Sequence, residues 1–351
     1  MKILFLKECC LGDLLMLSSA LVQLKAQCPE AIIDVCVGPF ARPVPEHWPF
    51  VRQVFEYPRF WGARRRPWGE WLRLMASLRR EQYDQIFVCD VGRGAQIIAT
   101  LIGGQGRVGF VHKHRRIGLH DWVERSPEDG IPEVRSYELL VERVLKKSLT
   151  ATQYAYTVLP QEQAWADAWL RQRNLNSKNF VVIAPGGGKN PGTDMERKRW
   201  PVERYAGLVE RMMGARGTVP LLVGAESDRE TVEKMGESRT RTGEGIHSLI
   251  GESFGNMAAL LAQARACVCN DSALLHLAAA LRVPTVGIFG PTDPRLLCPL
   301  FPWVQSVWEP VECSPCYQQI LGTYPPCNDY RCQKGITVER VLEALQKAIK
   351  V

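Results

Sequence analysis

One stretch constrains this chain more than any other: Ala266–Cys269, then Asn270-Asp-Ser-Ala-Leu-Leu-His276, then Val283–Phe289 and Gly290-Pro-Thr-Asp293. Ala266–Cys269 reads as a short buried strand. Asn270 and Asp271 are capping residue types, and Ser272–Leu281 is an apolar helix with a polar first turn. Val283–Phe289 is a second strand that ends in a turn. A strand–helix–strand unit of this kind belongs in a parallel sheet. Its polar residues gather at the helix N-terminus, where unpaired amides and the positive dipole end favour an anion such as a diphosphate. Asp271 would repel phosphate, so it is read as an acceptor from amides or a sugar hydroxyl.

The run Asn270–His276, followed by Val283-Pro-Thr-Val-Gly-Ile-Phe-Gly-Pro-Thr-Asp-Pro294, resembles the signature of the ADP-heptose:lipopolysaccharide heptosyltransferase family. These are glycosyltransferases of family 9 with the GT-B fold. The resemblance implies an α/β protein of two Rossmann-like domains whose parallel sheets face a cleft, with a last helix that packs back on the N-terminal domain. It also implies an inverting, metal-independent transfer of heptose from ADP-heptose to a lipopolysaccharide inner-core acceptor.

The start of the chain agrees. Lys2–Leu6 is a strand, Asp13–Gln27 a helix and Ile32–Val37 the next strand, so ligands belong at the carboxyl ends of a parallel sheet. Asp13 either caps its helix or acts as a general base at that edge. Gly12-Asp13-Leu14 resembles the family's N-terminal motif, which implies the catalytic base. No GxGxxG follows the first strand, so a dinucleotide cofactor is not expected.

In the second half, Phe180–Ala184 is a strand that runs into Pro185-Gly-Gly-Gly188. Gly186 and Gly187 would let backbone approach a phosphate closely. Lys198 stands just before a helix that starts near Pro201, and the resemblance gives it the neutralisation of the leaving diphosphate. Glu226, after the strand Pro220–Val223, is either a capping acid or, by the resemblance, the contact to the ribose hydroxyls. Gly251–Asn256 reads as a loop and Met257–Ala264 as a helix, with Met257 beside the base. Asp271, Ser272, Ala273 and His276 complete the donor set. Departures from the pattern are the glycines at 186–188, where members carry hydroxyl side chains, Ala273 in place of Gly, and the segment 299–335.

Residues 1–150 hold 22 Lys/Arg against 17 Asp/Glu, most of the net +7 of the chain. That excess suits an acidic partner, an anionic lipopolysaccharide or lipid-linked acceptor at the inner-membrane surface, and no nucleic-acid motif is present. The aromatic and arginine-rich stretch 57–80, with Arg59, Arg64, Arg65 and Arg66, is either an acceptor contact or an amphipathic connection with solvated arginines. Lys113, Arg115 and Arg116 form a second basic strip. The domains are expected at 1–155, binding acceptor, and 156–351, binding the nucleotide sugar. No run of about 18 apolar residues is present, and the first six residues are too short for a signal peptide. The expected place is the cytoplasm, peripheral to the inner membrane.

The segment 298–332 is irregular and cysteine-rich. Cys313, Cys316, Cys327 and Cys332 have roughly the spacing of a structural zinc site, against reduced buried thiols or a disulfide. The transfer chemistry requires no cofactor. Rival readings are a GT-B epimerase of a nucleotide sugar, a transferase of another sugar, and a sugar-nucleotide sensor without turnover.

Overall fold

The computed structural model describes residues 1–58, 68–190, 193–213, 218–237, 246–318 and 320–351. The chain divides into two compact units, one of Met1–Thr157 with Gln319–Leu321 and one of Val158–Gln318 with Gly322–Val351.

Unit 1 holds β1 (Lys2–Lys7), β2 (Ile32–Val37), β3 (Val51–Glu56), β4 (Gln85–Val88), β5 (Gly106–Val111) and β6 (Asp121–Glu124) in one sheet of order β3-β2-β1-β4-β5-β6. Every pairing is parallel. Helices cover both faces of such a sheet, which is why Ile3, Leu4, Phe5 and Leu6 are all buried rather than alternating with polar residues. Phe5 and Phe87 stack across the central pair with ring centroids 4.4 Å apart. The order turns outward in both directions from β1 and β4, so loops after these two strands diverge and leave a crevice at their carboxyl ends.

Unit 2 repeats the plan. It contains β7 (Phe180–Ala184), a two-residue hairpin of β8 (Lys189–Asn190) and β9 (Thr193–Asp194), then β10 (Val219–Gly224), β11 (His247–Ile250), β12 (Ala266–Asn270), β13 (Thr285–Phe289) and β14 (Val304–Trp308). The main sheet has the order β11-β10-β7-β12-β13-β14, again parallel, and its outward turn lies between β7 and β12.

Four expectations need correction. The last helix, Val338–Ile349, expected against the N-terminal domain, packs within its own unit on the second sheet, against β12, β13 and β14. Val338, Val341 and Leu345 supply the reason, because they enter the unit 2 core with Val286, Ile288 and Val307. The stretch after Pro294 is not wholly irregular, since β14 closes the sheet there. The helix expected from Met257 starts at Phe254, because Ser253 caps it by accepting from the Asn256 amide. The helix expected from Asp13 starts at Leu11, so Asp13 lies within its first turn and is not the cap.

Candidate functional site

In unit 1 three charged side chains meet at the crevice between β1 and β4. Lys7 ends β1, Asp90 follows β4, and Asp13 sits in the first turn of the helix Leu11–Gln27. Lys7 Nζ lies 2.7 Å from Asp90 Oδ1 and 3.0 Å from Asp13 Oδ2, and the Glu8 amide donates to Asp90 Oδ2 at 2.8 Å. Burial alone would lower the Lys7 pKa. The two carboxylates outweigh it and hold the ammonium well above the ordinary lysine range. Glu133 lies close by. Burial first, then the charge of Asp13, push its carboxyl above the usual value, while Arg125 at 3.3 Å opposes the shift. The loop that leads to Asp13 carries a disulfide between Cys9 and Cys10, and the other cysteines of the chain are free.

The sequence singles out Asp13 as a candidate; Lys7, Asp90 and Glu133, which the structure brings beside it, carry no such signal in their spacing. A usable signal existed for two of them. Polar residues at the carboxyl ends of β1 and β4 flank the crevice whatever their spacing in the chain.

Lys113, Arg115 and Arg116 occupy the turn after β5, on the same sheet edge but two strands from β1. Lys113 and Arg115 are exposed, and the Arg116 guanidinium lies over the Trp122 ring at 4.0 Å. Arg59, Arg64, Arg65 and Arg66 lie outside the described residues.

In unit 2 the crevice is made mostly of backbone. Pro185–Gly188 follows β7 and Asn270-Asp271-Ser272 follows β12. Asn270 is buried and stitches the two loops. Its Oδ1 accepts from the Trp200 amide and the Tyr205 hydroxyl, both at 3.0 Å, and its Nδ2 donates to the Pro185 and Gly186 carbonyls, both at 2.9 Å. The expected capping role of Asn270 is therefore wrong, because every hydrogen-bonding site on its amide already has a tertiary partner. Asp271 does not cap the helix either. The cap position belongs to Ser272, which makes no side-chain cap bond to Ala273–Ala280.

Asp271 instead faces Lys198, Oδ2 to Nζ 2.7 Å, with both side chains largely buried. Burial would raise the Asp271 pKa, but Lys198 first and then His276 and Thr292 hold it below the ordinary value. This answers the oddity of a carboxylate at an anion-binding end, since its charge is matched by a lysine from another loop. Two glycines let the loops come this close. A Cβ on Gly187, whose φ is +100°, would stand 2.8 Å from Ser272 Cβ, and one on Gly186 would overlap the Asp228 carboxylate.

The remaining donor candidates are placed apart from this pair. Glu226 follows β10 at the same sheet edge, exposed, with its carboxylate gripped by Arg229 at 2.6 and 2.7 Å, which lowers its pKa. The Ala225 amide is met by Asp228, not by Glu226. Met257 is buried in its helix.

The cysteine-rich segment touches the same region. Cys313, Cys316, Cys327 and Cys332 line one open cavity of about 340 Å³. Burial first, then the neighbouring Cys316 and Cys313, push the Cys332 thiol up to about 11. Ser314 Oγ donates to the Gly290 carbonyl, and the Cys316 and Tyr317 amides donate to the Pro291 carbonyl.

A family model described as glycosyltransferase family 9 (heptosyltransferase) matches residues 71–323. Lipooligosaccharide heptosyltransferase 2 of Haemophilus ducreyi is 31% identical over 86% of either chain. Lipopolysaccharide heptosyltransferase 2 of Escherichia coli K12 is 30% identical, again over 86% of either chain. Among solved structures, the E. coli ADP-heptose lps heptosyltransferase II superposes with a TM-score of 0.77 at 25% identity, covering 100% of this chain and 99% of that one. A glycosyltransferase family 9 structure from Veillonella parvula reaches 0.81 at 17% identity, over 99% and 97%. The second of these bears on fold alone.

Proposed function

The chain belongs to glycosyltransferase family 9, and from that premise we propose that it transfers heptose from ADP-heptose to the inner core of a lipopolysaccharide acceptor. It is a glycosyltransferase with two α/β units of the GT-B kind. One observation carries the donor assignment: the Lys198–Asp271 pair stands directly before the uncapped N-terminus at Ser272.

That arrangement suits a nucleoside diphosphate. The amides of Ser272 and Ala273 aim at the diphosphate, and the helix dipole adds partial positive charge. Lys198 supplies the full positive charge that offsets the one developing on the leaving ADP. Donors of this type, set before the reaction starts, typically contribute about 10²–10³ in rate each. Asp271 holds Lys198 in place, and His276 backs Asp271. Gly186 and Gly187 keep the facing loop free of side chains, Glu226 accepts from the ribose hydroxyls, and Met257 supports the base. The leaving group is stabilised here by a lysine and amides, with no metal ion required.

In unit 1, Asp13 takes the proton of the acceptor hydroxyl as it attacks the anomeric carbon, a role worth about 10²–10⁴ in rate. Lys7 aims the Asp13 carboxylate, and Asp90 fixes Lys7 from the other side. Lys113, Arg115 and Arg116 contact acceptor phosphate, together with Arg59, Arg64, Arg65 and Arg66.

A lipid-borne acceptor calls for a surface that rests on a membrane, and unit 1 offers one. Trp68 and Leu72, one turn apart, are 59% and 71% exposed, and Arg80 continues the same helical line. On the neighbouring helix Ile97 and Leu101 are 44% and 53% exposed and in line with Arg93. Arg79 donates to the Leu101 carbonyl and ties the two helices together. Apolar ridges with arginines at their ends suit an anionic interface. Among the described residues no helix is long and apolar enough to cross a membrane.

Incubation with ADP-heptose and a heptose-deficient lipopolysaccharide, followed by mass analysis, tests the assignment. The acceptor should gain one heptose as ADP is released. An unchanged acceptor beside an isomerised free donor would point to an epimerase instead.

A further inference from the structure

The segment from Val311 to Lys334 has no hydrophobic core of its own. Among its described residues only Ser314, Cys332 and Gln333 are buried, and its regular structure is limited to one bridge, Gln318 to Thr323, and the single turn Arg331–Lys334. A run this long without packed apolar side chains needs another source of order. Four of its side chains can supply one, because Cys313, Cys316, Cys327 and Cys332 all face a single cavity of about 340 Å³. Cys313 and Cys316 have the CxxC spacing of a metal knuckle, and Cys327 and Cys332 bring a second pair to the same space.

We propose that these four cysteines bind one zinc-type divalent ion as a tetrathiolate, and that the ion fastens this segment against the loop that carries Lys198. A soft, all-sulfur ligand set selects tetrahedral zinc, or iron in the same geometry, over magnesium or calcium. Each thiol loses its proton to solvent as its metal–sulfur bond forms. Bonds of about 2.3 Å require the cavity walls to draw in. Among the described residues no three His, Cys, Asp or Glu side chains already converge at coordinating distance. A segment without a core can make that adjustment without disturbing the sheet.

The neighbours of the ligands show what the ion would position. Gln333, next to Cys332, donates to the Lys198 carbonyl at 2.9 Å and the Arg197 carbonyl at 3.3 Å. The Tyr317 ring, next to Cys316, has Lys198 Nζ 5.3 Å from its centroid. Arg197 bonds the Pro325 carbonyl and lies over the Tyr324 ring at 4.3 Å. The chain on either side of the four cysteines therefore holds both the backbone and the side chain of Lys198. Lys198 is a donor contact only if the proposed transfer reaction is right, so this positioning role rests on that reading; the metal site does not.

The experiment uses the full chain purified under reducing conditions without chelator. Elemental mass spectrometry should find about one zinc or iron per chain. Cobalt(II) added to the metal-free protein should give thiolate-to-cobalt charge-transfer bands that saturate at about one equivalent. Cys327→Ser and Cys316→Ser should each lose the metal. A metal-free, reduced wild-type protein that gives no such bands would overturn the site, and this holds even where the serine variants fail to fold. Retention of metal by a folded Cys316→Ser/Cys327→Ser double variant would overturn it too. Metal removal should weaken ADP binding about tenfold, reversed on adding zinc back, with far-ultraviolet circular dichroism unchanged. Unaltered ADP affinity in a protein shown to bind one metal would overturn the positioning role alone.

Discussion

The two crevices of this molecule share one strand order and differ in what fills it. At the unit 1 crevice stand ionisable side chains, Lys7, Asp13 and Asp90, with Glu133 close behind. The unit 2 crevice is walled by glycines, amides and the buried amide of Asn270, with Lys198 and Asp271 as a buried ion pair. The same topology thus yields one crevice lined by ionisable side chains and one lined mostly by backbone. Side chains at strand ends can titrate, whereas backbone amides present fixed partial charge at every pH.

Four experiments would break or sharpen that contrast. The largest effect is expected from Asp13→Asn, which keeps the shape and removes the base. Turnover should fall by about 10²–10⁴ while ADP affinity, measured by calorimetry, stays within about twofold of the parent. A variant that folds and turns over normally would strip unit 1 of its proton-transfer role.

Lys198→Met comes next. It should slow transfer by about 10²–10³ and weaken ADP binding. It should also destabilise unit 2 by about 3 kcal/mol, because Asp271 keeps its burial and loses its cation. Steady-state kinetics and a denaturant midpoint measure the two effects. Full stability with normal ADP affinity would show that the pair carries nothing.

Gly187→Ala tests whether unit 2 works through backbone. Its φ of +100° and the contact with Ser272 predict a loss of about 1–3 kcal/mol in stability and weaker ADP binding, read from thermal melts with and without ADP. A variant as stable as the parent would mean the loop has room to spare.

The smallest effects are in pH. The Asp271 pKa is depressed, so its contribution is complete above the ordinary aspartate value and is lost as pH falls through the folded one. Glu133 is raised, so its contribution is complete below the ordinary glutamate value and is lost as pH rises through the folded one. Melts from pH 3 to pH 7 should therefore show Asp271→Asn reducing the acid sensitivity and Glu133→Gln removing a loss of stability on the neutral side. Identical slopes in both variants would refute the contrast.

Much of the fold was legible in advance. The 266–293 stretch announced its strand–helix–strand plan because its apolar runs are continuous, as a doubly covered parallel sheet demands. Edge strands were harder. β3, β6, β11 and β14 are only partly buried, so their residues mix polar and apolar types without a clear run. Asn270 shows a second kind of miss. Its residue type says cap, but its side chain is claimed by Trp200, Tyr205, Pro185 and Gly186, none within 60 residues of it along the chain.

By itself the sequence determined the fold class and the family, because both follow from local pattern and from short-range helix and strand physics. Only the tertiary structure decided which charges meet. Lys7 reaches Asp90 across 83 residues and Lys198 reaches Asp271 from a different loop. Whether a buried charge is matched or stranded depends on distance in space, which no spacing along the chain records.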